Sequence, residues 1–201
     1  MSNKTTFQEK NTRLNSNNID LSSILETINN LPSASGEVNT DIEDAMVTGA
    51  LTGDYVNNRV TSIGSERLRA TQITSLYCEE VLSVGGEGLR DCQKLTYVYL
   101  PKCTTISSYG IGLCGALERA EFNNLTKIYA LGFSTNSKMS TLIIRTPSVC
   151  ELLNTSALNS TPIANGTGYV YVPDNLVNSY KTATNWSTYA SQIKGLSELS
   201  E

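Results

Sequence analysis

The sequence predicts an α/β repeat protein: a leucine-rich-repeat solenoid with short parallel strands, preceded by an N-terminal oligomerisation helix and closed by a C-terminal strand-helix cap. Three observations carry this prediction. Apolar residues recur every 22 positions through the middle of the chain, glycine or asparagine returns once per period, and a tail with a different periodicity follows the last repeat.

At the N-terminus, Leu14, Leu21 and Ile28 fall at heptad intervals, with Ile24 and Leu31 at the alternate apolar positions and Asn17 interrupting the first of these. Asp20 or Ser16 can cap such a helix, and Pro32 stops it. With about two and a half heptads it is marginal in isolation. Self-association, as a homotrimer, would stabilise it; packing back as a cover on its own domain is the alternative. Residues 1–32 are therefore assigned to an attachment or coiled-coil helix and 33–50 to a linker whose acidic residues Glu37, Asp41, Glu43 and Asp44 are expected to be solvated.

The solenoid is expected over 51–161. Ile73, Leu95, Leu117 and Met139 each lie 22 residues after the last. Three positions on come Leu76, Val98, Ala120 and Leu142, and five on come Cys78, Leu100, Phe122 and Ile144. This apolar-x-x-apolar-x-apolar frame is the signature of a short strand that buries one face. Further apolar residues stand at plus eight (Val81, Cys103, Leu125), at plus eleven (Val84, Ile106, Ile128, Cys150) and at plus sixteen (Leu89, Ile111, Phe133). Gly88, Gly110 and Gly132, then Asn154, mark a corner needing either positive φ or close backbone approach. Val60, Ile63 and Leu68 fit the frame if the first repeat is one residue shorter. A single coil cannot bury its apolar side alone, so stacked coils share one core and both ends need covers.

The cap, 162–201, opens with strand-like alternation at Tyr169 to Val172. Pro173 and Asp174 then start a helix carrying Leu176, Val177 and Tyr180, and Trp186, Tyr189 and Ile193 are placed on a second short helix. Trp186, the only tryptophan, is expected to plug the last coil.

Composition narrows the function. The net charge of −4 offers no basic footprint for nucleic acid, and no apolar run is long enough for membrane insertion. The segment MSNKTTFQEK has no apolar signal-peptide core, which argues against export. Histidine is absent from the chain, and no catalytic triad, phosphate loop or metal cluster is apparent. Carboxylates for glycoside cleavage need no motif, and Glu79, Glu80 and Glu121 are the candidates beside the strands. A non-enzyme without cofactors is expected. The five cysteines (Cys78, Cys92, Cys103, Cys114, Cys150) are odd in number and form no CxxC; core packing is expected for them.

The stretch ITSLYCEEVLSVGGEGLRDCQKLTYVYLPKCTTISSYG resembles the BspA-like leucine-rich repeats of bacterial surface and phage-associated proteins. Leu95, Val98, Leu100, Pro101, Ile106 and Cys114 match that repeat, while Gly-Leu, Gly-Ile and Gly-Phe stand where the family often has Ala-Phe. The resemblance covers about 51–194, and the polar leader ending in NNLP is similar to attachment segments of phage tail and head-decoration proteins. It implies adhesion, ligand display or virion structure. The expected role is a phage or prophage virion protein for decoration or receptor binding, with itself, other virion proteins and a host-cell surface protein or glycan as partners; the alternative is a bacterial cell-surface adhesin.

Binding would fall to the outward strand face. With positions zero, three and five inward, positions two, four and six point out. They bring Ser75, Tyr77 and Glu79 beside Tyr97, Tyr99 and Pro101, then Arg119, Glu121 and Asn123, then Thr141, Ile143 and Arg145. Tyrosines next to arginines have the composition of binding hot spots, so Tyr77, Glu79, Tyr97, Tyr99, Arg119, Glu121 and Arg145 are the candidate ligand residues. The alternative is an ordinary solvated sheet face, where tyrosine is common.

Overall fold

Short segments with one apolar face cannot fold singly, and here each pairs with the equivalent segment about one repeat away. A computed structural model of the chain describes residues 51–199. The helix expected at 1–32, with Leu14, Leu21, Ile24, Ile28 and Leu31, and the linker expected at 33–50 lie outside the described residues.

All strand pairings among the described residues are parallel, in two sheets between which the chain alternates up to β11. The larger sheet orders β1 (Thr52–Val56), β3 (Gln72–Tyr77), β5 (Tyr97–Tyr99), β7 (Arg119–Phe122), β9 (Thr141–Ile144), β11 (Tyr169–Val172) and β12 (Ile193–Gly195). The smaller is built of two-residue strands: β2 (Ser62–Ile63), β4 (Ser83–Val84), β6 (Thr105–Ile106), β8 (Lys127–Ile128) and β10 (Glu151–Leu152). Register follows the 22-residue period: Ser75 pairs with Tyr97, Tyr97 with Arg119 and Arg119 with Thr141. Ile63 pairs with Val84, 21 residues on, as the shortened first repeat requires.

The period also fills the core. Ile73, Leu95, Leu117 and Met139 are all fully buried, as are the apolar residues three and five positions on. All five cysteines are buried free thiols. Burial pushes Cys78 up to about 11 and Cys103 up to about 12, because a thiolate is poorly solvated in an apolar interior.

Two of the cysteines do more than pack. Thr71, Cys92, Cys114 and Asn136 occupy one repeat position, and each side chain donates to a buried residue's backbone carbonyl. The Thr71 hydroxyl and the Cys92 thiol donate to the Leu68 carbonyl at 2.9 and 3.0 Å. The Cys114 thiol donates to the Leu89 carbonyl at 3.0 Å, and Asn136 Nδ2 donates to the Ile111 carbonyl at 2.6 Å. Asn136 Oδ1 also accepts the Cys114 backbone N–H at 2.8 Å. A buried carbonyl without a donor is costly, and at Leu89 and Ile111 the side chain supplies that donor, while the Leu68 carbonyl also accepts the Thr71 N–H at 3.3 Å.

The structure decides between the two readings of the corner. Positive φ belongs not to Gly88, Gly110 and Gly132 but to the residues before them, Glu87, Tyr109 and Leu131, and to Asp91, Leu113 and Thr135 further on. Hydrogen bonds to the next repeat hold several of these left-handed residues: Glu87 N–H to the Ser108 carbonyl at 3.1 Å and Leu113 N–H to the Ser134 carbonyl at 2.9 Å. The glycines serve close approach instead. A Cβ on Gly110 would lie 2.9 Å from the Ser107 carbonyl oxygen, and one on Gly132 would lie 3.0 Å from Ile128 Cγ2.

The fourth repeat departs from the period after β9. Leu152, not Cys150, pairs with Ile128, and the Phe133 N–H reaches the Ala157 carbonyl where a strict period would bring residue 154. The segment around Pro147 adds residues between the two sheets, so Asn154 leaves the corner. It caps the 3-10 turn Thr155–Leu158, its side chain accepting the Ser156 N–H at 2.9 Å.

The cap begins with β11 over the predicted residues. The 3-10 turn Asp174–Leu176 runs into α1 (Val177–Thr182), and a second 3-10 segment, Trp186–Gln192, holds Trp186 and Tyr189. Ile193 lies on β12 rather than on that helix, because it pairs with Val170 and extends the large sheet. Trp186 is fully buried and packs edge-on against Tyr180 at 5.3 Å.

The cap also blocks an edge of the small sheet. The Tyr180 hydroxyl accepts the Cys150 N–H at 2.9 Å, Trp186 Nε1 donates to the Cys150 carbonyl at 2.6 Å, and Asn185 Nδ2 donates to the Leu152 carbonyl at 2.6 Å. Side chains thus occupy backbone groups that another strand would pair with. A shallow groove of about 450 Å³ runs beside them, between Val149–Leu153 and Ala183–Trp186.

Candidate functional site

Parallel register carries side chains at matching repeat positions into rows. One row holds Tyr77, Tyr99, Glu121, Ile143 and Tyr171; beside it runs Ser75, Tyr97, Arg119, Thr141 and Tyr169. Five of the seven candidate residues lie where these rows cross β3, β5 and β7, and Arg145 reaches them from just beyond β9. The Tyr77 ring lies 5.2 Å from that of Tyr97 and 6.5 Å from that of Tyr99, tilted by about half a right angle to each (52° and 53°). The Arg119 guanidinium stands 6.0 Å from the Tyr97 ring centre.

Glu121 is the pivot. Its side chain is only 10 % exposed, and both carboxylate oxygens are taken: Arg119 Nη2 donates to Oε2 at 2.9 Å, and Arg145 Nε and Nη2 reach Oε1 at 2.9 Å. The Tyr97 hydroxyl lies 3.5 Å from Oε2. Burial by itself would raise the Glu121 pKa, but hydrogen bonds and charge from the two arginines outweigh it and hold the carboxyl below its usual range. Tyr97 is pushed up to about 12 by burial and by the Glu121 charge, so its hydroxyl keeps its proton. The two arginines remain 36 % and 39 % exposed, and Tyr77 remains 38 % exposed. The cluster therefore carries one ionised carboxylate against two guanidiniums, a net of about one positive charge, with aromatic rings on one flank.

Three expectations about this face are corrected. Glu79 lies beyond the end of β3, where the chain turns, and stays apart from the cluster; its backbone N–H donates to Asn58 Oδ1 at 3.2 Å. Glu121 and Ser75 are buried rather than presented, since neighbouring long side chains close over them. Ile143 is also buried, while Thr141 and Tyr169 further along the sheet stay partly exposed. Glu80 pairs with Lys102 at 2.7 Å in an ordinary exposed ion pair.

Sequence reading missed two features. A bulge in β3 opposite Gly53 and Asp54 turns Thr74 and Ser75 to the same carboxylate, so Asp54 Oδ1 accepts both hydroxyls at 3.0 and 2.6 Å. This is invisible in a pattern that assumes strict alternation. The second is a charged row at the corner: Arg69 and Arg90 interleave with Glu66, Glu87 and Asp91, and Arg90 lies 5.0 Å from the Tyr109 ring centre. Its signal was the 21-residue recurrence of Glu and Arg, hidden by attention to apolar positions. Among the described residues no group of three or more His, Cys, Asp or Glu is placed to hold a metal ion.

Comparison of the chain with models of known protein families and with curated proteins gives no match.

Proposed function

We propose that the two parallel sheets are the faces of a BspA-like leucine-rich-repeat solenoid, and that this solenoid is a non-enzymatic binding module of a phage or prophage virion. In this reading the N-terminal segment attaches and trimerises the protein on the particle, and the large sheet faces the host cell. One observation carries the binding role: Arg119 and Arg145 hold Glu121 from adjoining repeats, with Tyr97 beside it and Tyr77 packed against Tyr97 and Tyr99. A purely structural spacer has no need of a desolvated carboxylate held by two half-exposed arginines, because such a pair is rarely a net gain over apolar packing. The repeat match and the leader's similarity to particle-attachment segments support the virion setting.

Binding of the purified protein to whole bacterial cells tests the role. Replacing Tyr77, Tyr97 and Tyr99 together by Ala is expected to abolish attachment, and unchanged attachment would refute the strand face. Mass spectrometry of purified phage particles from the source strain tests the setting. Recovery of the chain from cell walls and not from particles would assign it to a cell-surface adhesin instead.

A further inference from the structure

We propose that the Tyr77–Tyr97–Tyr99–Arg119–Arg145 surface takes a carboxylate-bearing glycan, a uronic or sialic acid residue within an oligosaccharide. This rests on the strand-face reading above and names its ligand class.

Charge comes first. The whole chain is acidic, with a net charge of −4, yet this patch is locally positive because Glu121 neutralises only one of the two guanidiniums. Among the described residues, Arg119 commits Nη2 to Glu121 and Arg145 commits Nε and Nη2. Each therefore keeps N–H donors in a plane that Glu121 has already fixed. Planar, oriented N–H pairs match a carboxylate better than a single hydroxyl. Arg119 Nε is buried with no hydrogen-bond partner, a stranded donor beside the ion pair. A small turn of the guanidinium toward an incoming carboxylate would satisfy it.

The aromatic flank supplies the second half. Tyr77 is tilted to both Tyr97 and Tyr99 rather than coplanar with either, so ring faces and edges are both presented. Such rings pack on the apolar face of a sugar while their hydroxyls meet its hydroxyl groups. The Tyr97 hydroxyl, held protonated, is a donor under ordinary conditions. Successive strands lie about 4.8 Å apart, so the rings on β3 and β5 and the arginines at β7 and beyond β9 lie within reach of adjoining sugar units. Carboxylate to the arginines and neighbouring ring to the tyrosines is the arrangement that uses every exposed group.

The test is calorimetric titration of the full chain with a panel of uronate and sialylated oligosaccharides, with neutral cellotetraose alongside. Carboxylated glycans are expected to bind, with affinity falling as salt rises, and cellotetraose to bind at least tenfold more weakly. Arg145→Gln and Tyr99→Ala are each expected to weaken binding at least tenfold; Arg145→Lys, which keeps the charge but loses the planar fork, is expected to fall between. Trp186 fluorescence confirms that each variant is folded. Equal binding of cellotetraose, or unchanged binding by Arg145→Gln, would overturn the charge argument. If no member of the panel binds while the tyrosine variants still lose attachment to cells, the ligand class is wrong and the strand face stands. If the tyrosine variants also keep full attachment, both fall.

Discussion

Replacing Asn136 by Ala tests whether the buried polar row holds successive repeats together. Asn136 is fully buried, and its two hydrogen bonds reach backbone groups for which the described contacts offer no other partner: the Cys114 N–H at 2.8 Å and the Ile111 carbonyl at 2.6 Å. Each stranded backbone group costs about 1–3 kcal/mol, so the pair should cost about 2–6 kcal/mol. Asn136→Cys provides the control, since Cys92 and Cys114 do this work one and two repeats earlier. A thiol there can donate to the Ile111 carbonyl and lie against the Cys114 N–H, recovering about half of the loss. Urea unfolding followed by fluorescence of Trp186 and by far-ultraviolet circular dichroism measures both variants. Coincident transitions are needed before a single free energy is extracted, because stacked repeats can unfold in parts. A loss under about 1 kcal/mol for Asn136→Ala, or equal losses for Ala and Cys, would refute the assignment.

Three further outcomes follow from particular contacts. Gly110→Ala sets a methyl 2.9 Å from the Ser107 carbonyl oxygen and 3.1 Å from Ile106 Cγ2, both held by the coil, so thermal unfolding should show a loss of about 1–3 kcal/mol. Trp186→Phe keeps the plug but removes the donor to the Cys150 carbonyl. A loss of about 1–3 kcal/mol is expected in urea titrations followed by circular dichroism, and no loss would mean that water replaces the indole. The folded-state pKa of Glu121 lies below its usual 4.5, so its ion pairs stabilise the fold above that value and the benefit is lost as pH falls through the folded pKa. Stability measured against pH should therefore show wild type and Glu121→Gln converging below about pH 4.5; a difference that stays constant through the acid limb would contradict the sign.

The 22-residue period was enough to place the interior. Ile73, Leu95, Leu117 and Met139 are core because each 22-residue segment is too short to bury its apolar side alone, and that requirement leaves a periodic trace in the sequence. The shortened first repeat and β11 were equally legible, since both follow from side-chain pattern alone. The site was read in part. Alternation along a strand named Tyr77, Tyr97, Tyr99, Arg119, Glu121 and Arg145 as one face, but it could not say which would be exposed or which would pair.

Those decisions belong to distances between chain segments that the linear pattern does not encode. Glu121 is a desolvated pivot because Arg119 and Arg145 arrive at both of its oxygens, while Glu79, equally acidic and equally near a strand in sequence, turns away once β3 ends. The added residues around Pro147 shift Leu152 into the place expected for Cys150, because pairing answers to hydrogen-bond geometry rather than to residue count. Left-handed corners fall on Glu87, Tyr109 and Leu131 because their carbonyls close local turns with the Arg90, Gly112 and Ser134 N–H groups, and the glycines beside them yield room instead of angle. Periodic burial is local and survives in the letters of the chain; pairing, exposure and charge balance arise only when strands are brought side by side.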